Sequence, residues 1–212
     1  MHDYAVTDFA VARSRINKRL FIPKLLFLPA ILFAIVSHHA YVEDGFWDTT
    51  WEVVSYLVLM IAAIGRVWTS AYISGRKTHV LVADGPYSLT RNPLYFFSFL
   101  AYLGAGLAFE KITVAMAFVV VFWVSHWPTI LAEEAKLRNR FGEEYDDYAK
   151  SVPRFWPRFG RMKLPEAVTF APAVFNRAVL HCGFIMLAYL LAHLIEYAQV
   201  AGIVPILIRN VP

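Results

Sequence analysis

The chain has 212 residues, of which 58% are hydrophobic and 16% aromatic, and only 17% are charged, with a formal net charge of +4. Soluble domains run about 45–50% apolar and about 25% charged, so the composition excludes an ordinary water-soluble domain and points to lipid as the solvent. The basic balance suits the cytoplasmic loops of a membrane protein; no nucleic-acid motif accompanies it, and no nucleic-acid partner is expected.

Residues 1–22 mix apolar positions with Arg13, Arg15, Lys18 and Arg19 and read as an interfacial basic helix. They lack the short apolar core and small-residue site of a cleaved signal peptide. Residues 23–42 form the first predicted span, about 20 residues long, as a bilayer core requires. An acidic loop with Glu43, Asp44 and Asp48 leads into a second span over 51–73, which carries Arg66 near its middle. A polar connector over 74–92 contains Gly75, Gly85 and Pro86. A short aromatic third span covers 94–109, Glu110 and Lys111 turn the chain, and a fourth span covers 112–131.

The pattern then changes. In 132–150 the residues Leu137, Phe141, Tyr145 and Tyr148 recur at steps of three and four, which predicts an amphipathic helix continuing out of the membrane. Gly142 weakens it locally. Four prolines (Pro153, Pro157, Pro165 and Pro172) make 151–172 an irregular surface segment. A fifth span covers 174–200, and the apolar tail 203–208 is too short to cross by itself. The only cysteine, Cys182, lies in this fifth apolar run, so neither a disulfide framework nor a thiolate cluster is available, and no metal site is expected. The expectation is an all-α, polytopic membrane protein of about five transmembrane helices forming a single membrane domain.

Charge gives the orientation. The N-terminal segment holds Arg13, Arg15, Lys18, Arg19 and Lys24, the 74–92 connector holds Arg76, Lys77 and Arg91, and nine basic residues fall in 132–177. The loops of the other side hold Lys111 alone, and the C-terminal tail Arg209. Five spans with the N-terminus in the cytoplasm place every basic segment on the cytoplasmic face and the C-terminus on the opposite side. The polar segments 74–92 and 132–163 then share one face, where an active site is expected.

Two polar clusters there carry candidate chemistry. In Gly85–Tyr95 (GPYSLTRNPLY), Pro93 suits the first turn of a helix and Asn92 its N-cap. Arg91 is thereby fixed at the mouth of the third span, either snorkelling to the interface or holding an anion. Glu133 and Glu134 lie at the end of the fourth span and point about 100° apart on a helix, so one of them at most faces a given pocket. Arg154, Arg158 and Arg161 form a third cluster near Trp156, suited to lipid headgroups. Gly104 and Gly106 either permit close helix packing or leave room for a ligand. Arg66 and His126 are ionisable groups inside spans, where function is suspected by default and a buried structural pair is an equal reading for Arg66.

Gly85-Pro86-Tyr87, Arg91-Asn92-Pro93-Leu94-Tyr95, Glu133-Glu134, Leu137, Phe141-Gly142, Tyr145 to Tyr148, Arg154 and Pro157 follow one another in this order over about residues 75–160. This arrangement resembles the isoprenylcysteine carboxyl methyltransferase and phospholipid methyltransferase superfamily. The resemblance implies a core over 74–163 with a membrane-embedded S-adenosylmethionine site on the cytoplasmic side; the additional C-terminal span over 174–200 departs from the family, whose additional span usually lies before the motif region. It implies methyl transfer to a lipophilic small molecule, lipid or lipidated acceptor, with membrane lipids as surroundings. It assigns cofactor binding to His79, Tyr87, Arg91, Pro93, Gly104, Gly106, Glu133 and Glu134. Catalysis falls to Arg91, Tyr95 and Arg154, and a substrate tunnel to Phe96 and Phe97. Many members have His where Asn92 stands, and a small residue where Phe97 stands. The alternatives are an NADPH-dependent membrane reductase of the sterol reductase type, with Arg154, Arg158 and Arg161 for the phosphate, and a non-catalytic membrane scaffold.

Overall fold

The computed structural model describes residues 27–40, 45–74, 80–160, 162–168 and 171–211. The expected interfacial helix over 1–22 and His79 lie outside the described residues. The chain is an all-α, polytopic integral membrane protein. Among the described residues, three helices are long and apolar enough to cross a membrane, namely α2 (Phe46–Ile73), α5 (Ile112–Phe141) and α7 (Pro172–Val200). Two apolar helices are shorter, α1 (Phe27–Val36) and α4 (Pro93–Leu107). The short helices α3 (Pro86–Leu89) and α6 (Glu143–Ser151) lie outside the spans.

The element boundaries follow local chemistry. Pro93 starts α4, where a missing N–H costs nothing. With 15 residues, α4 is only about 22 Å long, shorter than a bilayer core of about 30 Å. By contrast α5 has 30 residues, about 45 Å, so its last turns stand clear of the hydrocarbon. The predicted fourth span and amphipathic helix are therefore one helix as far as Phe141. Gly142 then adopts a φ of +54°, which breaks the chain direction and starts α6. The amphipathic face survives the break: Tyr145, Tyr148 and Val152 bury themselves with Leu81, Ala83, Leu137 and Phe141.

The bundle is built on α4, which packs between α2 and α5, while α7 lies on α2. Small residues set these contacts. A Cβ on Gly104 would meet Leu59 Cγ at 2.8 Å, and one on Gly106 would meet Ala115 Cα at 2.6 Å. Beside this seam, Phe99, Phe122, Ile130 and Phe155 form an aromatic core with Phe96, Tyr102, Trp123 and Trp127 around it. Only 6% of the apolar window of α7 is buried. Its exposed Leu180, Phe184, Leu190 and Leu194 suit a lipid surround. Cys182 donates its thiol to the Ala63 carbonyl at 3.0 Å.

One of the expectations from sequence needs correction. The irregular segment after α6 is not merely a surface strap. Val152 and Phe155 are buried, the Pro153 carbonyl accepts the Arg91 N–H at 2.9 Å, and the Leu89 carbonyl accepts the Arg158 N–H at 3.0 Å. The apolar tail is likewise employed: Ile208–Val211 forms β2, paired in parallel with β1 (Ser37–His39). That pairing joins the end of α1 to the end of α7. The start of α2 and the turn at Glu110 lie at the same end of the molecule, since His39 lies within 4 Å of Asp48, Glu110 and Glu196. The opposite end carries Arg91, Glu134 and α6, together with the hydrogen bond from Gly85 N–H to the Lys163 carbonyl.

Candidate active site

Gly85 begins the site. Its φ is +56°, and a Cβ there would lie 2.2 Å from the Tyr72 ring, so glycine is required both by conformation and by space. The chain can then turn tightly into α3 and bury Tyr87. The Tyr87 carbonyl accepts the Tyr148 hydroxyl at 2.7 Å, which fastens α6 over this turn. Burial raises the pKa values of Tyr87, Tyr148 and Tyr145, so all three stay neutral hydrogen-bond donors; at Tyr145 the Arg91 guanidinium opposes the shift.

Glu134 is the next fixed point. It is buried, and its two oxygens accept the Asn92 amide at 2.8 Å, Arg154 Nε at 3.0 Å and Arg91 Nη1 at 3.4 Å. One carboxylate therefore ties α5 to the start of α4 and to the irregular segment. Asn92 gives its side-chain amide to Glu134 and the Arg154 carbonyl, and so makes no N-cap bond. Arg154 stacks over Trp127, 5.7 Å from the ring centre.

Beside this clasp opens a cavity of about 880 Å³, lined at its polar end by Tyr87, Arg91, Asn92, Pro93, Tyr95 and Glu133. Lys136, Asn139 and Arg140 of α5 flank that end, and Arg66, Ser98 and His126 line the part that runs between the helices. The Tyr95 hydroxyl lies close to the Glu133 carboxylate. Arg66 donates to the Ser98 hydroxyl. His126 stacks on Phe122 at 4.6 Å. The Arg91 Nε–H is buried and has no acceptor among the described residues. The cavity thus combines one carboxylate and a guanidinium donor at a basic mouth with a second guanidinium at membrane depth. Its volume falls within the range of about 300–1,000 Å³ typical of small-molecule sites.

The structure brings together five of the residues expected from sequence: Tyr87, Arg91, Pro93, Tyr95 and Glu133. Apart from His79, which is outside the described residues, the others lie elsewhere. Glu134 and Arg154 face each other in the clasp, because adjacent residues on α5 point apart and only Glu133 reaches the cavity. Gly104 and Gly106 do not line it. They stand 11 and 13 residues along the chain from Pro93, roughly 17–20 Å up the helix, and serve close packing. Phe97 sits against Gly65, where a Cβ would lie 2.1 Å from its ring, and beside Trp68. Phe96 packs on Phe155 and Trp156. Neither phenylalanine lines the cavity. Sequence reasoning singled out Arg66 and His126 as intramembrane suspects without placing them in this site, and it left Ser98, Lys136 and Arg140 out altogether. A signal existed for Lys136 and Arg140: with Glu133 and Leu137 they recur at helical spacing on one face of α5.

Residues 51–144 match the family model for phospholipid methyltransferase. The nickel-cobalt-cadmium resistance protein NccN of Alcaligenes xylosoxydans xylosoxydans is 32% identical over 164 residues, covering 75% of this chain and 76% of the relative. The cobalt-zinc-cadmium resistance protein CzcN of Cupriavidus metallidurans is 34% identical over 63% of each chain. Protein-S-isoprenylcysteine O-methyltransferase of Schizosaccharomyces pombe is 36% identical over 77 residues, 36% of this chain and 33% of the relative. No solved structure matches the chain significantly.

Proposed function

Because this chain belongs to the isoprenylcysteine carboxyl methyltransferase and phospholipid methyltransferase superfamily of membrane methyltransferases, we propose that it transfers a methyl group from S-adenosylmethionine to a lipophilic acceptor. The observation that supports this reading is the continuous cavity from the Arg91–Glu133 mouth to Arg66, Ser98 and His126. A water-soluble, zwitterionic donor and a membrane-dissolved acceptor have to meet in one place, and a cavity polar at one end and embedded at the other allows it.

The residues at the mouth fit the cofactor. Arg91, with its unsatisfied Nε–H, would hold the carboxylate. Glu133 would accept hydrogen bonds from the amino or ribose groups, with Tyr95 orienting it. Tyr87 and Pro93 would form the adjoining wall. S-adenosylmethionine, when bound, supplies an electrophilic methyl on a positively charged sulfonium. Glu133 is best used away from that methyl, since a carboxylate beside it would stabilise the ground state more than the transition state. The protein's remaining task is to align acceptor and donor and to exclude water. At the embedded end, Arg66 suits an acceptor that presents a negative or strongly polar group. A carboxylate acceptor would need no general base; an amine or thiol would call for one. The mouth is proposed to face the cytoplasm, following the distribution of basic residues. Since NccN and CzcN are named for metal resistance, resistance to such metals is the proposed setting of the activity.

Titration calorimetry in detergent tests the reading. S-adenosylmethionine and S-adenosylhomocysteine should bind, and NADPH should not. Glu133→Gln should weaken S-adenosylmethionine binding by about 10- to 100-fold, the loss of one charge-assisted bond of roughly 1.5–3 kcal/mol. Binding of NADPH alone, or an unchanged affinity in folded Glu133→Gln, refutes it.

A further inference from the structure

At the end of the molecule opposite the cavity, four segments remote in sequence converge on one cluster. His39 comes from β1, Asp48 from the first turn of α2, Glu110 from the α4–α5 turn and Glu196 from α7. One ligand-type atom from each lies within 4.8 Å of all the others. From His39 Nε2 the distances are 3.1 Å to Glu196 Oε1 and 3.8 Å to both Asp48 Oδ1 and Glu110 Oε2. Donor atoms around a tetrahedral ion with bonds of about 2.0–2.2 Å stand about 3.3–3.6 Å apart, so the cluster already has nearly the right dimensions.

Glu110 distinguishes this arrangement from a solvated acidic patch. The residue is 2% exposed, its carboxylate oxygens meet no N–H donor at hydrogen-bond distance among the described residues, and the side chain it does contact is the Asp48 carboxyl of the same cluster. It occupies a left-handed backbone conformation, φ +57°, uncommon for such a side chain. Lys111 is close by in sequence, but its ammonium donates to the Ala34 and Ser37 carbonyls. His193 faces the other side of Glu196, 3.3 Å from Oε2, and lies 3.7 Å from Glu52. Buried charge of this kind is costly unless it is paired or coordinates a metal. Glu196 keeps a side-chain exposure of 21%, which leaves an approach for a small ion.

We propose that His39, Asp48, Glu110 and Glu196 form a binding site for one divalent transition-metal cation, of the zinc or cobalt class. Imidazole nitrogen with carboxylate oxygens is a donor set for these ions, and the absence of thiolates disfavours soft monovalent copper. The ion would cross-link β1, α2, the α4–α5 turn and α7, the elements that close this end of the bundle. The site is separate from the proposed methyl-transfer site and does not depend on that reading.

The test uses tag-free, full-length protein in detergent, stripped with chelator and titrated with Co²⁺. Visible d–d absorption should report one equivalent bound, and Zn²⁺ should displace it. Glu110→Gln and His39→Ala should each lower Co²⁺ affinity by about 100-fold, while S-adenosylmethionine titrations are unchanged. Excess Zn²⁺ should raise the melting temperature of the wild-type protein, a readout that stands even if the variants do not fold. No bound Co²⁺ and no Zn²⁺ shift in the wild type, or equal Co²⁺ affinity in the folded variants, overturns the proposal.

Discussion

Glu133 and Glu134 are neighbours with opposite duties. Glu133 turns towards the cavity, whereas Glu134 is buried among Asn92, Arg91 and Arg154. Substitution should separate them. Glu134→Gln leaves the 13%-exposed Arg91 side chain short of its counter-charge, and losing one partner of a buried pair costs about 3 kcal/mol or more. A thermal melt in detergent should show a clear loss of stability for Glu134→Gln and little for Glu133→Gln. Calorimetry should show the reverse order for S-adenosylmethionine affinity in the folded protein. The adjacent carboxylates were visible in the sequence, and so was the rule that they diverge on a helix. Which of them turned inward was not, because that depends on the position of Arg154, 20 residues further on.

The elements divide between packing and chemistry. Helix α4 approaches α2 and α5 closely because Gly104 and Gly106 have no side chains to hold them apart. A valine at position 106 would require the Ala115 backbone, 2.6 Å from the new Cβ, to move. Gly106→Val should therefore lower the melting temperature markedly and leave the S-adenosylmethionine affinity of the folded fraction unchanged. A selective loss of cofactor binding would instead give the glycine a place in the site. Helix α5 combines both roles along its length, packing through Val114, Phe118 and Phe122 and presenting Glu133, Lys136 and Arg140 to the cavity after it leaves the apolar layer. The break at Gly142 lets α6 fold back, so that Tyr148 can reach the Tyr87 carbonyl.

For the whole molecule, the basic residues Arg91, Lys136, Arg140 and Arg154 and the proposed active site share one end, and the His39–Glu110 cluster occupies the other. Single cysteines placed in a Cys182→Ala background test this arrangement in sealed right-side-out vesicles. Positions 139 and 166 should react with an impermeant maleimide only after lysis, and position 46 before it; any other distribution refutes the proposed orientation. The sequence by itself determined the membrane class, the long apolar helices, and the shared end for segments 74–92 and 132–163. Apolar length, proline positions and the asymmetry of charge are local or additive properties, and they need no tertiary contact to be read. It also singled out Arg91, Tyr87, Tyr95 and Glu133, which the fold brings to the wall of one cavity. Tertiary structure alone decided that Gly104 and Gly106 pack, that Phe97 rests on Gly65, and that the tail pairs with β1. It alone gathered His39, Asp48, Glu110 and Glu196. Those four residues are spread over almost the whole chain with no repeating interval, and they meet only because helices crossing the same layer return their ends to the same face.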